Sequence, residues 1–300
     1  MKPPASIVIP LLRQVDDWLQ QSVLSALNQT VQCEVIVVVS PRTPESNRGI
    51  LDRLRENHTN LVVIDREPQM RFAAALNLGI RSAHACRIGF LLSDDWLEAG
   101  AIEACLSRNA DIVSTGRTFV SAEGLPAFEE IAQPHSQAIY DRLKTHTERA
   151  KFLGYFFLFR RQALLDAGGL DETIGDSPGV DDFDMIWCML DRGASVSIID
   201  ERLYNVREHP GERLTNRSLD EMTATFARIL EKHHVTGKAR ERLMREHSLW
   251  FGESILSVHR RIAEPILPLP AFLKPLRLLY RAALPLRTRL AIYDRWMRKQ

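Results

Sequence analysis

Residues 34–40 read EVIVVVS, and five apolar residues follow one another within this short run. A strand with one face in water alternates apolar and polar residues, whereas an unbroken apolar run indicates a strand that is buried on both faces. Parallel sheets covered by helices on both sides contain strands of this kind. The run therefore predicts an α/β fold with a mostly parallel sheet.

Strand-length apolar runs alternate with helix-length segments on both sides of this stretch. Upstream, a strand is predicted at 6–10 and a helix at 16–28; downstream, a helix is predicted at 44–57. The further predicted elements are strands at 61–64, 87–92, 111–114, 154–161 and 195–199, and helices at 72–85, 98–108, 161–167 and 181–192. This βαβ rhythm is typical of a Rossmann-like, mostly parallel sheet flanked by helices.

The composition is that of an ordinary globular protein: 45% of the 300 residues are hydrophobic, 26% are charged, and the formal net charge is +1. This balance gives no overall attraction for nucleic acid. The 4 cysteines lie far apart without a Cys-x-x-Cys pair, which disfavours a zinc site and a disulfide framework. The apolar run at 7–12 is too short for a signal peptide, and the sequence contains no uncharged apolar run of about 18 residues. We therefore expect a reduced, cytoplasmic protein.

Residues 218–300 contain Arg-rich helical patterns broken by prolines, which predicts a basic helical C-terminal extension at 216–300 after a core domain at 1–215. Within 251–300, 10 Lys and Arg residues stand against 3 acids, with aromatic and aliphatic residues between them. One hypothesis is peripheral binding to the anionic inner face of the cell membrane through 251–300. A helical cap on the core, or an oligomer contact, explains the same pattern.

Two neighbouring carboxylates follow the predicted strand at 87–92, in the sequence Ser93-Asp94-Asp95-Trp96. Ligands in this class of fold bind at the carboxyl ends of the strands. Carboxylate oxygens suit Mg²⁺ or Mn²⁺, and such an ion can neutralise a diphosphate as it leaves. The alternative is that one of the two acids caps the helix that follows. Trp96 is expected to pack beneath the cleft, although an aromatic face also suits a sugar ring.

A second acidic cluster, DDFD at 181–184, opens the predicted helix at 181–192. Asp182 could act as a general base if the fold brings it to an acceptor hydroxyl, while helix capping is the simpler explanation of the cluster. Further on, Arg207 and His209 follow a short predicted strand. Arg207 could hold a phosphate and His209 could complete a metal site, although a single histidine is more often a surface residue.

The order of these pieces resembles the large inverting family two of glycosyltransferases, which has the GT-A fold. The resemblance covers about residues 5–215. It rests on SIVIP (6–10) with SVLSALNQT (22–30), EVIVVVS (34–40), REPQMRFAAALNLGI (66–80), FLLSDDW (90–96), FLFRRQALLDAGGLDE (157–172), DDFDMIWCMLDRG (181–193) and LYNVREHPGERLT (203–215). Any one fragment says little, but their common order and spacing favour this fold.

The resemblance implies roles for single residues of this chain. Asp94 matches the retained metal-binding acid of the family's DxD-type motif, and Asp95 matches the acid after it. Asp182 matches the catalytic base. His209 falls where some members supply a late contact to the metal or the diphosphate. The metal is therefore expected to be Mn²⁺ or Mg²⁺, held by Asp94, Asp95 and His209.

The donor nucleotide is expected to contact residues from several segments. The residues assigned to it are Pro10, Ser40, Glu67, Asn77, Asp94 and Arg207; Glu67 and Asn77 match a subgroup segment that reads approximately SEPDxGxxDAxNKG. The chain departs from the family where paired acids usually follow the second strand, because Val39 and Ser40 stand there. Leu92 likewise replaces the first acid of the DxD motif.

The resemblance implies an enzyme that moves a sugar from a nucleotide-diphosphate donor to a glycan or lipid-linked acceptor hydroxyl with inversion, in cell-surface polysaccharide assembly. The alternative is a catalytically silent protein that binds a sugar nucleotide or scaffolds glycan assembly, which the missing acids favour. A nucleotidyltransferase has a related sheet, but this chain lacks a Gly- and Lys-rich triphosphate loop after its first strand.

Overall fold

The computed structural model describes residues 2–128, 137–153, 156–174, 181–209 and 219–251. The chain divides into two compact units, one formed by Met1–Leu125 with Pro134–Asn216 and the other by Pro126–Gln133 with Arg217–Gln300. The candidate functional residues all belong to the first unit. Residues 252–300, which carry most of the membrane hypothesis, lie outside the described residues.

Strands and helices alternate along most of the described chain. The strands are β1 (Ser6–Leu11), β2 (Glu34–Val39), β3 (Leu61–Asp65), β4 (Arg87–Phe90), β5 (Trp96–Leu97), β6 (Ile112–Val120), β7 (Pro126–Phe128), β8 (Phe156–Arg160) and β9 (Val196–Arg207). The helices are α1 (Asp16–Leu27), α2 (Glu45–Asn57), α3 (Phe72–Ser82), α4 (Ala101–Leu106), α5 (Gln137–Tyr140), α6 (His146–Phe152), α7 (Arg161–Asp166), α8 (Asp181–Asp191), α9 (Leu219–Lys232) and α10 (Gly237–Phe251).

The sheet of the first unit runs in the order β3-β2-β1-β4-β8-β6-β9-β5. β1 pairs in parallel with β2 and β4, and β2 pairs in parallel with β3. β8 is antiparallel to both of its neighbours, β4 and β6, and β9 is parallel to β6. The mixed, mostly parallel sheet that the sequence predicted is confirmed. All six residues of β2 are buried, as expected for a strand covered on both faces.

The strand directions decide which chain segments meet at the ligand edge. Because β8 reverses direction between β4 and β6, strand β6 runs parallel to β4, and β9 runs parallel to β6. The carboxyl ends of β4 and β9 therefore lie at the same edge of the sheet. The residues after these two strands, distant in sequence, are brought to one side of the molecule.

Two strands are longer than the sequence predicted. The strand expected at 111–114 is β6, which reaches Val120, and the strand expected at 195–199 is β9, which reaches Arg207. The two pair with each other over this whole length, with register irregularities on either side of Gly116. Polar residues in the second half of β6, and between the two predicted parts of β9, interrupt the apolar pattern, and the pairing of the two strands makes each of them continuous.

The second unit contains the helices α9 and α10, so helices are present in the predicted C-terminal extension. Phe226 of α9 stacks on His247 of α10, with ring centroids 4.3 Å apart and an interplanar angle of 5°. Among the described residues, no helix combines the length and the apolar character that crossing a bilayer requires.

The helix α3 packs so closely on β1 that a glycine is required at the contact. A Cβ atom built at Gly79 would lie 2.3 Å from Cγ1 of Val8, which is much closer than carbon atoms approach one another. Gly79 and Val8 are both buried between the helix and the sheet, where packing is dense. The contact fixes the height of α3 above the sheet.

We expect Gly79→Ala to destabilise the protein by about 1–3 kcal/mol, because the added methyl group must push helix and strand apart. The free energy of unfolding in urea measures the effect. Gly49→Ala in α2 is the matched control: its Cβ would meet only the end of the Arg53 side chain, at 3.6 Å. That control should be neutral or should stabilise the helix by up to about 1 kcal/mol. Equal unfolding free energies for the two variants would contradict the packing argument.

Candidate functional site

Asp94 and His209 meet at the carboxyl edge of the sheet. Nε2 of His209 lies 3.1 Å from Oδ2 of Asp94, although the residues are 115 positions apart in the chain. The His209 side chain is 5% exposed and the Asp94 side chain is 16% exposed. The parallel course of β4 and β9 explains the meeting, since Asp94 follows the first strand and His209 follows the second. Two side chains that the sequence predicted as metal ligands thus share one site.

Asp95 has a different environment from its neighbour. Its side chain is buried, with Oδ2 accepting a hydrogen bond from the Tyr204 hydroxyl at 2.7 Å and Oδ1 accepting one from the Arg207 backbone N–H at 2.8 Å. Burial, reinforced by the Asp95 charge, raises the pKa of Tyr204 well above its usual value, so the hydroxyl stays protonated and donates. Of the two acids predicted to bind metal, Asp94 faces His209, whereas both oxygens of Asp95 bind β9.

Arg207 lies inside the protein, with only 2% of its surface exposed. Its Nε donates to the Asp94 carbonyl oxygen at 3.0 Å, Nη1 donates to the Ala122 carbonyl oxygen, and Nη2 donates to Oε1 of Gln21. The sequence predicted that Arg207 contacts a phosphate. The structure gives its guanidinium three acceptors within the chain instead.

The guanidinium of Arg207 packs against two tryptophan rings. The guanidinium carbon of Arg207 lies 4.8 Å from the ring centroid of Trp96 and 5.0 Å from that of Trp18. The Trp18 ring is also 4.7 Å from the ring of His209, at an angle of 48°. Trp96 therefore packs against the arginine. Cations over indole faces at these distances are attracted by the negative face of the ring.

Sequence reasoning missed Trp18, Gln21 and Tyr204. Trp18 and Gln21 are three positions apart near the start of α1, on one face of the helix. Because α1 begins directly after the carboxyl end of β1, its first turns lie near the ligand edge, and this was a signal the sequence offered. For Tyr204, the sequence gives no signal, because its partner Asp95 is 109 positions away.

Asp182, the predicted base, lies at the start of α8 and is half-buried. Its Oδ1 accepts a hydrogen bond from the Phe183 backbone N–H at 2.7 Å. Burial raises the pKa of the Asp182 carboxyl, against the lowering effect of the backbone hydrogen bond. A carboxylate with a raised pKa is a stronger base, which favours the uptake of a proton. Residues 175–180, directly before this helix, are not described.

Near the carboxyl ends of β2 and β3, Arg48 of α2 contacts the chain at two points. Ser40 is buried, and its carbonyl oxygen accepts a hydrogen bond from Nη2 of Arg48 at 2.9 Å. The same nitrogen lies 2.9 Å from Oδ1 of Asp65, the last residue of β3. Pro10 is half-buried in β1, and Glu67 is exposed two residues after β3. Pro10, Ser40 and Glu67, which the sequence assigned to the nucleotide, thus lie at or near the carboxyl ends of three neighbouring strands.

Asn77, which the sequence also assigned to the nucleotide, binds a turn of the protein. Its Nδ2 donates to the Leu170 carbonyl oxygen and to Oε1 of Glu172, both at 2.8 Å, and its Oδ1 accepts from the Leu170 N–H at 3.0 Å. Gly169 has a φ of +68°, and a Cβ there would lie 2.5 Å from Oδ1 of Asn77. The amide therefore fixes the turn after α7, the helix that ends at Asp166.

The pair of Asp94 and His209 fits a divalent cation. It offers one carboxylate oxygen and one imidazole nitrogen within hydrogen-bond distance of each other, and both side chains keep some exposure. Oxygen ligands suit Mg²⁺ and Mn²⁺, and imidazole suits transition metals. Two protein ligands leave further coordination positions for water or for phosphate oxygens of a substrate.

Sequence comparison finds relatives that match about 70% of the chain. The uncharacterized glycosyltransferase EpsJ of Bacillus subtilis is 28% identical over 228 residues, which are 70% of this chain and 62% of EpsJ. Chondroitin synthase of Escherichia coli is 28% identical over 227 residues, which are 73% of this chain and 31% of the synthase. The chain thus spans less than two thirds of the length of the curated relatives it matches.

Comparison with solved structures finds the same fold at low sequence identity. The mannosyltransferase PcManGT of Pyrobaculum calidifontis, solved in complex with GDP-Man and Mn²⁺, superposes with a TM-score of 0.58 at 17% identity. The superposition covers 98% of this chain and 85% of the mannosyltransferase. The fold is accordingly of the GT-A type. The model of the family described as "Glycosyl transferase family 2" matches residues 6–167, more than half of the sequence, and the chain belongs to this family.

Proposed function

We propose that this protein transfers a sugar from a nucleoside-diphosphate donor to a hydroxyl of a glycan or lipid-linked acceptor, with inversion at the anomeric carbon, in cell-surface polysaccharide assembly. The observation that carries the proposal is the meeting of Asp94 and His209 at the ligand edge of a family 2 fold. Membership of the family, and a relative that is a chondroitin synthase, support the polysaccharide context.

The chain supplies a base for the acceptor. The Asp182 carboxylate takes the proton of the acceptor hydroxyl as the oxygen forms a bond to the anomeric carbon. The bond from that carbon to the diphosphate oxygen breaks on the opposite face, so the configuration inverts and the electron pair leaves with the diphosphate. The raised pKa of Asp182 favours proton uptake in this step.

Asp94 and His209 would hold a divalent cation, Mn²⁺ or Mg²⁺, beside the diphosphate. A bound cation neutralises negative charge on a leaving phosphate. Asp95 contributes through its buried hydrogen bonds to β9, which fix the loop that carries Asp94. The donor nucleotide is proposed to lie along the ends of β1, β2 and β3, near Pro10 and Ser40.

A second candidate function is a catalytically silent protein that binds a sugar nucleotide. The observation that favours it is the lack of acids at Val39, Ser40 and Leu92. The acid nearest to these positions, Asp65 at the end of β3, is paired with Arg48 of α2. The presence of a base with a raised pKa at Asp182 favours the active enzyme instead.

We expect Asp182→Asn to lower the turnover of sugar transfer by about 10²–10⁴-fold, since the amide cannot accept the proton. Because burial raises the pKa of Asp182, the wild-type rate should fall as the pH drops through a value above the ordinary aspartate range. Steady-state kinetics between pH 4 and 9 measure both effects. Asp166→Asn, at the exposed end of α7, is the control and should keep wild-type turnover. Unchanged turnover in Asp182→Asn rules out the base assignment.

We expect one of UDP, GDP, dTDP and CDP to bind in a Mn²⁺-dependent manner in isothermal titration calorimetry. Asp94→Ala should weaken this binding at least about tenfold, because it removes a first ligand of the cation. Asp52→Ala, on the exposed face of α2, should leave it unchanged. Nucleotide binding whose affinity changes neither with Mn²⁺ nor in Asp94→Ala would contradict the cation site. No binding of any of the four nucleotides would contradict the donor assignment.

A further inference from the structure

Arg207 is in contact with four segments of the first unit. It reaches Gln21 of α1, the carbonyl oxygen of Asp94, the Trp96 ring of β5, and Ala122 in the loop after β6. It is almost completely buried, and a buried guanidinium is costly unless its donors are satisfied. A side chain with this many partners inside the protein is suited to hold neighbouring residues in place rather than to bind a substrate directly.

We propose that Arg207 is a positioning residue that holds the Asp94 carboxylate and the His209 imidazole in the orientation that binds a divalent cation. The inference rests on the proposed function, since the cation is that of the proposed transferase. It replaces the phosphate contact that the sequence suggested for this arginine.

Arg207 binds the chain at two points just C-terminal to the Asp94 side chain. Its Nε donates to the Asp94 carbonyl oxygen at 3.0 Å, and its backbone N–H donates to the Asp95 carboxylate at 2.8 Å. These two hydrogen bonds fix the peptide that links the two acids. The direction in which the Asp94 side chain leaves the backbone is thereby set toward His209.

Trp18 connects Arg207 to His209 by contacting both side chains. The guanidinium lies over the Trp18 ring at 5.0 Å, and the same ring lies 4.7 Å from the ring of His209. Arg207, Trp18, His209 and Asp94 therefore form a closed ring of contacts, because Asp94 binds both His209 and Arg207. Each member limits the movement of the next.

Lysine cannot reproduce this arrangement. Arginine has a planar group with five N–H donors in fixed directions, which can stack on an indole and donate to several acceptors at once. A lysine ammonium has the same charge but no plane and no Nε donor. Arg207→Lys therefore keeps the charge and loses the geometry.

Charge and geometry predict opposite effects on cation binding. The positive guanidinium lies close to the Asp94 and Asp95 carboxylates, so by Coulomb repulsion it disfavours a second cation there. If charge alone mattered, Arg207→Gln would tighten the binding of Mn²⁺. If positioning dominates, both Arg207→Gln and Arg207→Lys weaken it.

The test is Mn²⁺ binding to the full chain, measured without nucleotide by the electron paramagnetic resonance signal of free Mn²⁺. We expect both variants to raise the Mn²⁺ dissociation constant by about 10–100-fold, as is typical when a residue that orients a metal ligand is changed. Circular dichroism and the thermal unfolding midpoint report whether each variant is folded. If the arginine variants do not fold, Trp18→Leu, which removes the aromatic contact to His209, is judged by the same criterion.

Arg87→Lys is the matched control. Arg87 is a buried arginine that donates to the carbonyl oxygens of Ala110 and Arg108, and it starts β4, the strand whose other end leads to Asp94. It should lose stability as Arg207→Lys does, but its Mn²⁺ affinity should stay at the wild-type value. A loss of affinity in this control would show that reduced stability alone weakens the site, and it would overturn the proposal.

Unchanged or tighter Mn²⁺ binding in folded Arg207→Lys and Arg207→Gln overturns the positioning role while the proposed function stands. Absence of Mn²⁺ binding to the wild-type chain has a different meaning. It contradicts the cation site of the proposed function, and the positioning role is overturned with it. Weaker binding in both arginine variants, with wild-type affinity in Arg87→Lys, supports the proposal.

Discussion

The parallel course of β4 and β9 is the constraint on which the candidate site depends. The two strands are not neighbours: β8 and β6 lie between them, and their antiparallel pairing restores the original direction. Parallel strands present their carboxyl ends, and the loops that follow, at one edge. A single reversal more or fewer would place His209 at the opposite end of the sheet from Asp94, and no side chain is long enough to compensate for such a change.

Buried, hydrogen-bonded charges fix the arrangement of side chains at this edge of the sheet. Asp95 and Arg207 are both nearly inaccessible to water, and charged groups in such places are tolerated only when they are paired and hydrogen-bonded. Here the carboxylate has the Tyr204 hydroxyl and the Arg207 N–H, and the guanidinium has two carbonyl oxygens and an amide oxygen. Such pairs are weak sources of net stability, but they define one geometry, because any other arrangement leaves a buried charge without a partner. Asp94, beside them, keeps the partial exposure that a ligand-binding group needs.

The acidic residues of this chain lie in different environments. Asp94 faces His209, whereas Asp95, whose backbone N–H donates to the Leu92 carbonyl oxygen across a turn, faces inward. Asp182 is half-buried and has a raised pKa, which separates it chemically from ordinary surface acids. Near the ends of β2 and β3, Arg48 of α2 is paired with Asp65.

The sequence by itself determined the fold class and the position of the acidic residues. The apolar run of β2 and the regular spacing of helices and strands up to β4 are local patterns. They can be recognised in the sequence because the burial of each strand or helix determines where its apolar residues stand. Asp94 and His209 could be named because they follow apolar runs of strand length, and Asp182 because it opens a recognisable helix. Only the tertiary structure decided that Asp95 and Arg207 bind inside the protein, that Asn77 holds the turn at Leu170, and that Trp18 lies against His209. These partners are separated by about ninety positions or more, and contacts over such distances depend on strand order and direction, which no local pattern records.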